Sequence, residues 1–296
     1  MKSPDYTHYR GAGMRWDKPL GGTGRPKLLR FVAAALVAVC VLGCASVPHS
    51  GRRQFNMISD AEIKPVALQV YEQVLSKEPE SKDARMKEIA RRVVTRISSA
   101  AEKMDHPGFD WKVQLIERDT PNAFCLPGGL IGVHTGLFRE VGTEAGLAAI
   151  VGHEVAHAVA RHGQERRTQQ RLVNGVLAFT GELVRKETGE ITTAGKLLLG
   201  ALGAGATVGV TLPYSRIHEF EADQIGQIYM AAAGYDPQES VRVWEKLSKF
   251  KKPPIPVWLS THPSDEERLR KLRDFLPDAE KYYKESPVKY GKGVLL

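Results

Sequence analysis

Two histidines separated by three residues, with a glutamate after the first, stand at His153-Glu154-Val155-Ala156-His157. On a helix, four residues advance by about 400°, so the two imidazoles lie on one face, one turn apart. That spacing lets two ring nitrogens reach a single zinc ion. Glu154, about 100° round from His153, can then serve as a general base on water beside the metal without ligating it. The surrounding sequence is apolar, and two histidines and an acid inside an apolar helix are costly without such a partner.

A catalytic zinc takes a third protein ligand and keeps one position open. The metzincin solution, a third histidine six residues after the second with a glycine midway, fails. Those positions hold Gly163 and Ala160, and His162 comes one place early. The alternative is a downstream glutamate in His218-Glu219-Phe220-Glu221-Ala222-Asp223. Glu219 and Asp223 are four apart and share a helix face, so Glu219 is assigned to the metal and Asp223 to the N–H of His153. Glu221 points about 200° away from Glu219 and is assigned to structure, with His218 as a neighbour.

Several elements must position these groups. A capping box at Ser59 and Glu62 opens a helix that Pro65 should bend or delay. Met86, Ile89, Val93, Ile97 and Ala100 mark an amphipathic helix. Strands are expected over 111–116, 122–126 and 130–135, and a buried helix over 143–162. Residues 197–215 carry no charge and contain Gly200, Gly203, Gly205 and Gly209. They are read as a close-packed internal helix closed by Pro213, in preference to a membrane-contacting segment. Asp236-Pro237 opens a further helix, and Ser264 with Glu267 caps the last. No repeat is visible. The expected fold is α+β and mostly helical, a zincin-like metallopeptidase domain with a small mixed sheet around the buried His-Glu-x-x-His helix.

Composition narrows the class. Of 296 residues, 42% are hydrophobic and 26% charged, which excludes a disordered chain. Three cysteines exclude a disulfide scaffold. The net charge of +8 suggests nucleic acid, but residues 1–30 hold seven basic side chains against two acidic ones. The remainder shows no basic patch interleaved with aromatics, so no nucleic-acid partner is expected. The basic stretch precedes twelve apolar residues, Phe31 to Leu42. That run is too short to span a bilayer and has the form of a secretory signal. Val41-Leu42-Gly43-Cys44 resembles a bacterial lipobox. The organisation expected is therefore a lipoprotein signal peptide over 1–43, a polar, lipid-anchored tether over 44–58 with lipidation at Cys44, and a metallopeptidase domain over 59–296.

Taken together, His153 to His157, Ser215 to Asp223, and Ser260-Thr261-His262-Pro263 resemble the HtpX and CAAX-prenyl-protease class of gluzincins, in its lipid-anchored periplasmic branch. The similarity runs over residues 51–275 in motif order. It implies one Zn²⁺ per chain, held by His153, His157 and Glu219, with Glu154 as catalytic base. It implies an edge strand, matched by Asn122, Ala123 and Phe124, that binds substrate backbone as an added strand. Cys125 beside it is read as a buried hydrophobe. The function implied is a zinc endopeptidase acting on unfolded or misfolded outer-membrane proteins. Its place would be the periplasmic face of the outer membrane, reached through the lipid anchor, near the outer-membrane assembly machinery. The alternative is a non-proteolytic assembly factor or chaperone using the same groove, and an intact Glu154 argues against it. For His262 three roles stand: a reversible fourth ligand that keeps the enzyme latent, a donor to the oxyanion, or a helix-entry residue facing water.

Overall fold

Residues 44–188, 190, 193–206, 212–249, 262 and 266–296 are described by the structure, a computed structural model. The leader over 1–43, the proline-rich stretch at 251–256 and Ser264 lie outside them. A hairpin of β1 (Cys44–Ser46) and β2 (Arg53–Phe55) leads into helices α1 (Asp60–Lys77) and α2 (Ala84–Asp105). Strands β3 (Lys112–Ile116), β4 (Ala123–Leu126) and β5 (Leu130–His134) follow, then α3 (Thr135–Val141) and α4 (Glu144–Val159). The chain continues through α5 (His162–Thr188), α6 (Thr193–Ala206), α7 (Leu212–Ala232), α8 (Gln238–Leu247) and α9 (Glu266–Glu285). Residues Gly43–Leu296 fall in one compact unit.

The capping signal at Ser59 acts as the sequence suggests. Ser59 caps α1 by accepting from the Glu62 amide, and Thr143 caps α4 by accepting from that of Gly146. Pro65 sits inside α1 without delaying it. Every residue of α4 from Glu144 to Val159 is buried. Ile89, Val93 and Ile97 of α2 pack with Leu115, Ile131 and Val133 of the sheet, with α4, and with Ile225 and Tyr229 of α7 in one core. In the three-stranded sheet β5 is central, parallel to β3 and antiparallel to β4, so β4 is an edge strand.

One contact decides the site. A Cβ on Gly152 of α4 would lie 2.9 Å from the Gly226 carbonyl oxygen of α7, and one on Gly226 would lie 2.8 Å from the His153 nitrogen. Two glycines therefore let these backbones touch, which brings the His153 turn against the turn that carries Glu219 and Asp223.

Two expectations are corrected. Residues 45–58 are not a free tether. Val47 and Ile58 are buried, Gln54 donates to the Ala160 carbonyl, and Arg52 pairs with Glu165 and Glu221, so the segment is a hairpin docked on the domain. Its polar sequence hid this because its buried polar groups are satisfied by partners far along the chain. The part of 197–215 that lies in α6, up to Ala206, is not an internal core helix, and residues 207–211 lie outside the described residues. α6 packs on α5, and Leu197 is 71% exposed, as Phe179 of α5 is at 67%. Pro213 stands in the first turn of α7 and opens a helix where it was expected to close one. No helix among the described residues is long and apolar enough to cross a membrane.

Candidate metal centre

α4 and α7 set four side chains around one point. His153 Nε2 and His157 Nε2 are 3.1 Å apart. Glu219 Oε2 lies 3.4 Å from the first and Glu219 Oε1 3.4 Å from the second. His262 joins them, its Nδ1 3.2 Å from His153 Nε2 and 3.0 Å from Glu219 Oε2. His153, His157, Glu219 and His262 together form a group able to hold a metal ion, the first three buried and the last partly so. Glu154 is buried beside the group, with Oε1 3.4 Å from His262 Nε2.

The two α4 histidines are supported differently. His153 Nδ1 meets Asp223 Oδ1 at 2.9 Å, as the helix geometry predicts. Asp223 is in turn clamped by Arg268 through two hydrogen bonds of 2.8 and 2.9 Å. The same guanidinium reaches Glu219 Oε2 at 3.0 Å and lies 3.9 Å over the Trp244 ring. Burial works against charge on His153, but Asp223 and Glu219 outweigh it and raise its pKa to about 9. Burial raises, yet Arg268 and His153 lower, the Asp223 carboxyl, with a net fall.

On the outer side of His157, among the described residues, stands a second imidazole where His153 has a carboxylate. His157 Nδ1 lies 2.8 Å from His162 Nδ1, and His162 Nε2 lies 3.1 Å from Glu221 Oε2. Burial pushes the His157 pKa well below the ordinary value, against the pull of Glu219. Burial likewise takes His162 down to about 4 despite Glu221. Both rings are held neutral, the state in which imidazole ligates. The His218 ring stacks on that of His162 at 4.3 Å, and its Nε2 meets Glu165 at 2.8 Å. It stands beside the group that could hold a metal and is not part of it.

Arg268 went unread in the sequence, although it stands four residues before Leu272 on the apolar face of the last helix, where a cation signals a buried acid. Glu221, assigned to structure, reaches the site through His162. At β4, Ala123 is buried and Phe124 stacks edge-on to Tyr71, with ring centroids 6.4 Å apart. Burial, then the Glu154 charge, push the half-buried Cys125 thiol well above its ordinary pKa. A nucleophilic thiolate is disfavoured there, and the side chain, expected to be buried, is only partly so and packs against the core.

Comparison with known proteins agrees with this geometry. The model of peptidase family M48 matches residues 80–276. The mitochondrial metalloendopeptidase OMA1 of Schizosaccharomyces pombe is 33% identical over 242 residues, covering 79% of this chain and 67% of the relative. That of Arabidopsis thaliana is 34% identical over 197 residues, 67% of this chain and 38% of the relative. The beta-barrel assembly-enhancing protease of Yersinia pestis is 34% identical over 168 residues, 54% of this chain and 33% of the relative. With a family match that spans most of the sequence, and with the histidines and glutamates of that match converging on one point, the chain belongs to peptidase family M48 and is a metalloendopeptidase.

Proposed function

We propose that the metal is zinc and that the protein is an endopeptidase of unfolded or misfolded outer-membrane proteins, anchored through Cys44 on the periplasmic face of the outer membrane. The observation that carries the zinc reading is the spacing of the ligand atoms. Tetrahedral zinc with bonds of about 2.0–2.2 Å needs ligand atoms about 3.3–3.6 Å apart. The nearest atoms of His153, His157 and Glu219 lie 3.1–3.4 Å from one another. Zinc there supplies Lewis-acid polarisation of the peptide carbonyl and acidifies water. Glu154 takes the proton of the attacking water and passes it to the leaving amine nitrogen. His153, His157 and Glu219 hold the metal, while Asp223 and Arg268 orient His153 and Glu219.

His262 stands at the fourth corner of the ligand group, with Nδ1 and not Nε2 turned inward. That placement favours the latch over the oxyanion donor. The histidine fills the position a substrate needs and leaves when a strand binds. The edge position of β4 supports a substrate strand added beside Asn122, Ala123 and Phe124. A groove of about 200 Å³ passes from His157 to Leu126 of β4, between Ile63 and Val70 of α1 and Arg167 of α5. Backbone pairing of this kind reads extended chain in preference to sequence, which suits unfolded substrates. The beta-barrel assembly-enhancing proteases among the relatives support the envelope setting and contact with outer-membrane assembly machinery. The lipobox-like run before Cys44 supports the anchor.

The test is digestion of an unfolded porin by the wild type and by Glu154→Gln, with zinc stoichiometry measured on both. The expected outcome is one zinc in each and cleavage by the wild type alone. A wild type that binds the porin and protects it uncut would instead support the assembly-factor alternative.

A further inference from the structure

A histidine that ligates through Nε2 keeps its proton on Nδ1, and that N–H needs an acceptor. For His153 the acceptor is Asp223. For His157 the partner atom is His162 Nδ1, at 2.8 Å. A neutral imidazole can accept at Nδ1 only as its Nε2–H tautomer. That Nε2–H then points at Glu221 Oε2, 3.1 Å away. Donor and acceptor roles therefore run in one direction, from His157 to His162 to Glu221. Glu221 is itself fixed from the far side: its Oε1 accepts from Arg52 Nε at 2.9 Å and from Ser50 Oγ at 2.6 Å. The other two nitrogens of Arg52 are taken by Glu165, at 2.7 and 2.8 Å, so the guanidinium cannot swing away.

We infer that His162, Glu221 and Arg52 form a positioning relay for His157, which makes the N-terminal hairpin a part of the metal centre. The inference rests on the reading of His157 as a zinc ligand. Ser50 and Arg52 lie in the loop joining β1 to β2, 171 and 169 residues before Glu221, and the fold alone brings them to it. A carboxylate two hydrogen bonds away still polarises the chain that ends at His157 and so raises the basicity of the ligand ring. It also fixes which nitrogen carries the proton and how the ring is turned. The relay residues do not touch substrate; they act through His157.

The experiment measures zinc affinity by competition with a chromophoric chelator, the visible spectrum of the cobalt-substituted protein, and thermal unfolding of the metal-free protein. Glu221→Gln keeps shape but removes the charge, His162→Phe removes the acceptor but keeps a ring against His218, and Arg52→Ala releases Glu221. The expected result is a fall in zinc affinity of about 10- to 100-fold for the first two, and a smaller fall for the third. The cobalt spectrum should change in each, while the metal-free midpoint of Glu221→Gln stays close to wild type. The relay is overturned if affinity stays within about twofold in all three, or if it falls only in proportion to the metal-free midpoint. His157→Ala serves as the control. If it binds zinc as tightly as the wild type, the ligand reading fails and the relay fails with it, whereas loss of zinc there with no effect of Glu221→Gln removes the relay alone.

Discussion

His153 and His157 sit one turn apart on the same buried helix, yet their outer nitrogens meet opposite chemistry. His153 is backed by an ionised carboxylate locked to Arg268, and its pKa is raised to about 9. His157 is backed by a second, neutral imidazole, and burial takes its pKa well below the ordinary value. The helix supplies the spacing and cannot supply the difference. That comes from what packs on each side: the α7–α9 seam at His153, the start of α5 and the N-terminal hairpin at His157. Two histidines that look equivalent in the sequence are thus held by a short charged support and a long, mostly neutral one.

Substitutions separate the two supports. Glu154→Gln touches neither support and sets the scale. Hydrolysis should fall by about 10²–10⁴ with metal and fold retained, since a general base contributes that much. A variant that digests an unfolded porin at the wild-type rate would remove Glu154 from the chemistry. Asp223→Ala should be the most disruptive change to either support. It leaves the buried Arg268 guanidinium without its main partner, and breaking such a pair costs about 3–5 kcal/mol, readable by urea unfolding of the metal-free protein. Asp223→Asn keeps the shape and should lower zinc affinity by about 10- to 100-fold. If the direct support matters more than the relay, this loss exceeds that of Glu221→Gln measured in the same chelator competition.

His262→Ala separates the latch from the other two roles. Peptidase activity rises if His262 restrains the site, falls by about 10²–10³ if it donates to the oxyanion, and stays level if it only faces water.

The smallest effect is expected at the hairpin. Burial works against charge on Glu165, but Arg52 and His218 hold its carboxyl at about 2, from an ordinary value of 4.5. A depressed carboxyl gives stability that is fully present above the unfolded-state value and lost as pH falls through the folded one. The metal-free protein should therefore lose stability progressively between about pH 4.5 and about 2. Arg52→Met lets the Glu165 pKa rise back and should flatten that acid limb, as thermal midpoints across the range would show. An acid limb identical to that of the wild type would remove Arg52 as its cause.

Much of this site is legible in the sequence because it is written in short spacings. The four-residue step of His153 and His157, and that of Glu219 and Asp223, fix common faces on helices whatever the rest of the chain does. The cap at Ser59 and the apolar run of α4 are equally local, and the structure keeps them. The reading failed where partners are distant. A polar, Pro- and Gly-punctuated stretch at 45–58 has the composition of a tether, and its docked state depends on Glu165, Glu221 and Ala160, more than 100 positions away. An uncharged run at 197–206 has the composition of a core helix, yet packing leaves Leu197 in solvent.

The chain's spacings alone define the chemical groups and their local geometry: two imidazoles and two glutamates, each on a defined helix face. Which outer partner each imidazole receives depends on the packing of distant segments. The approach of Gly152 to Gly226 puts Asp223 at His153, while the docked hairpin fixes Glu221 behind His162. The reason is physical. Periodicity along a helix is a one-dimensional property, whereas a hydrogen bond between groups a hundred residues apart exists only once burial has brought their backbones together and removed the water that would otherwise satisfy them.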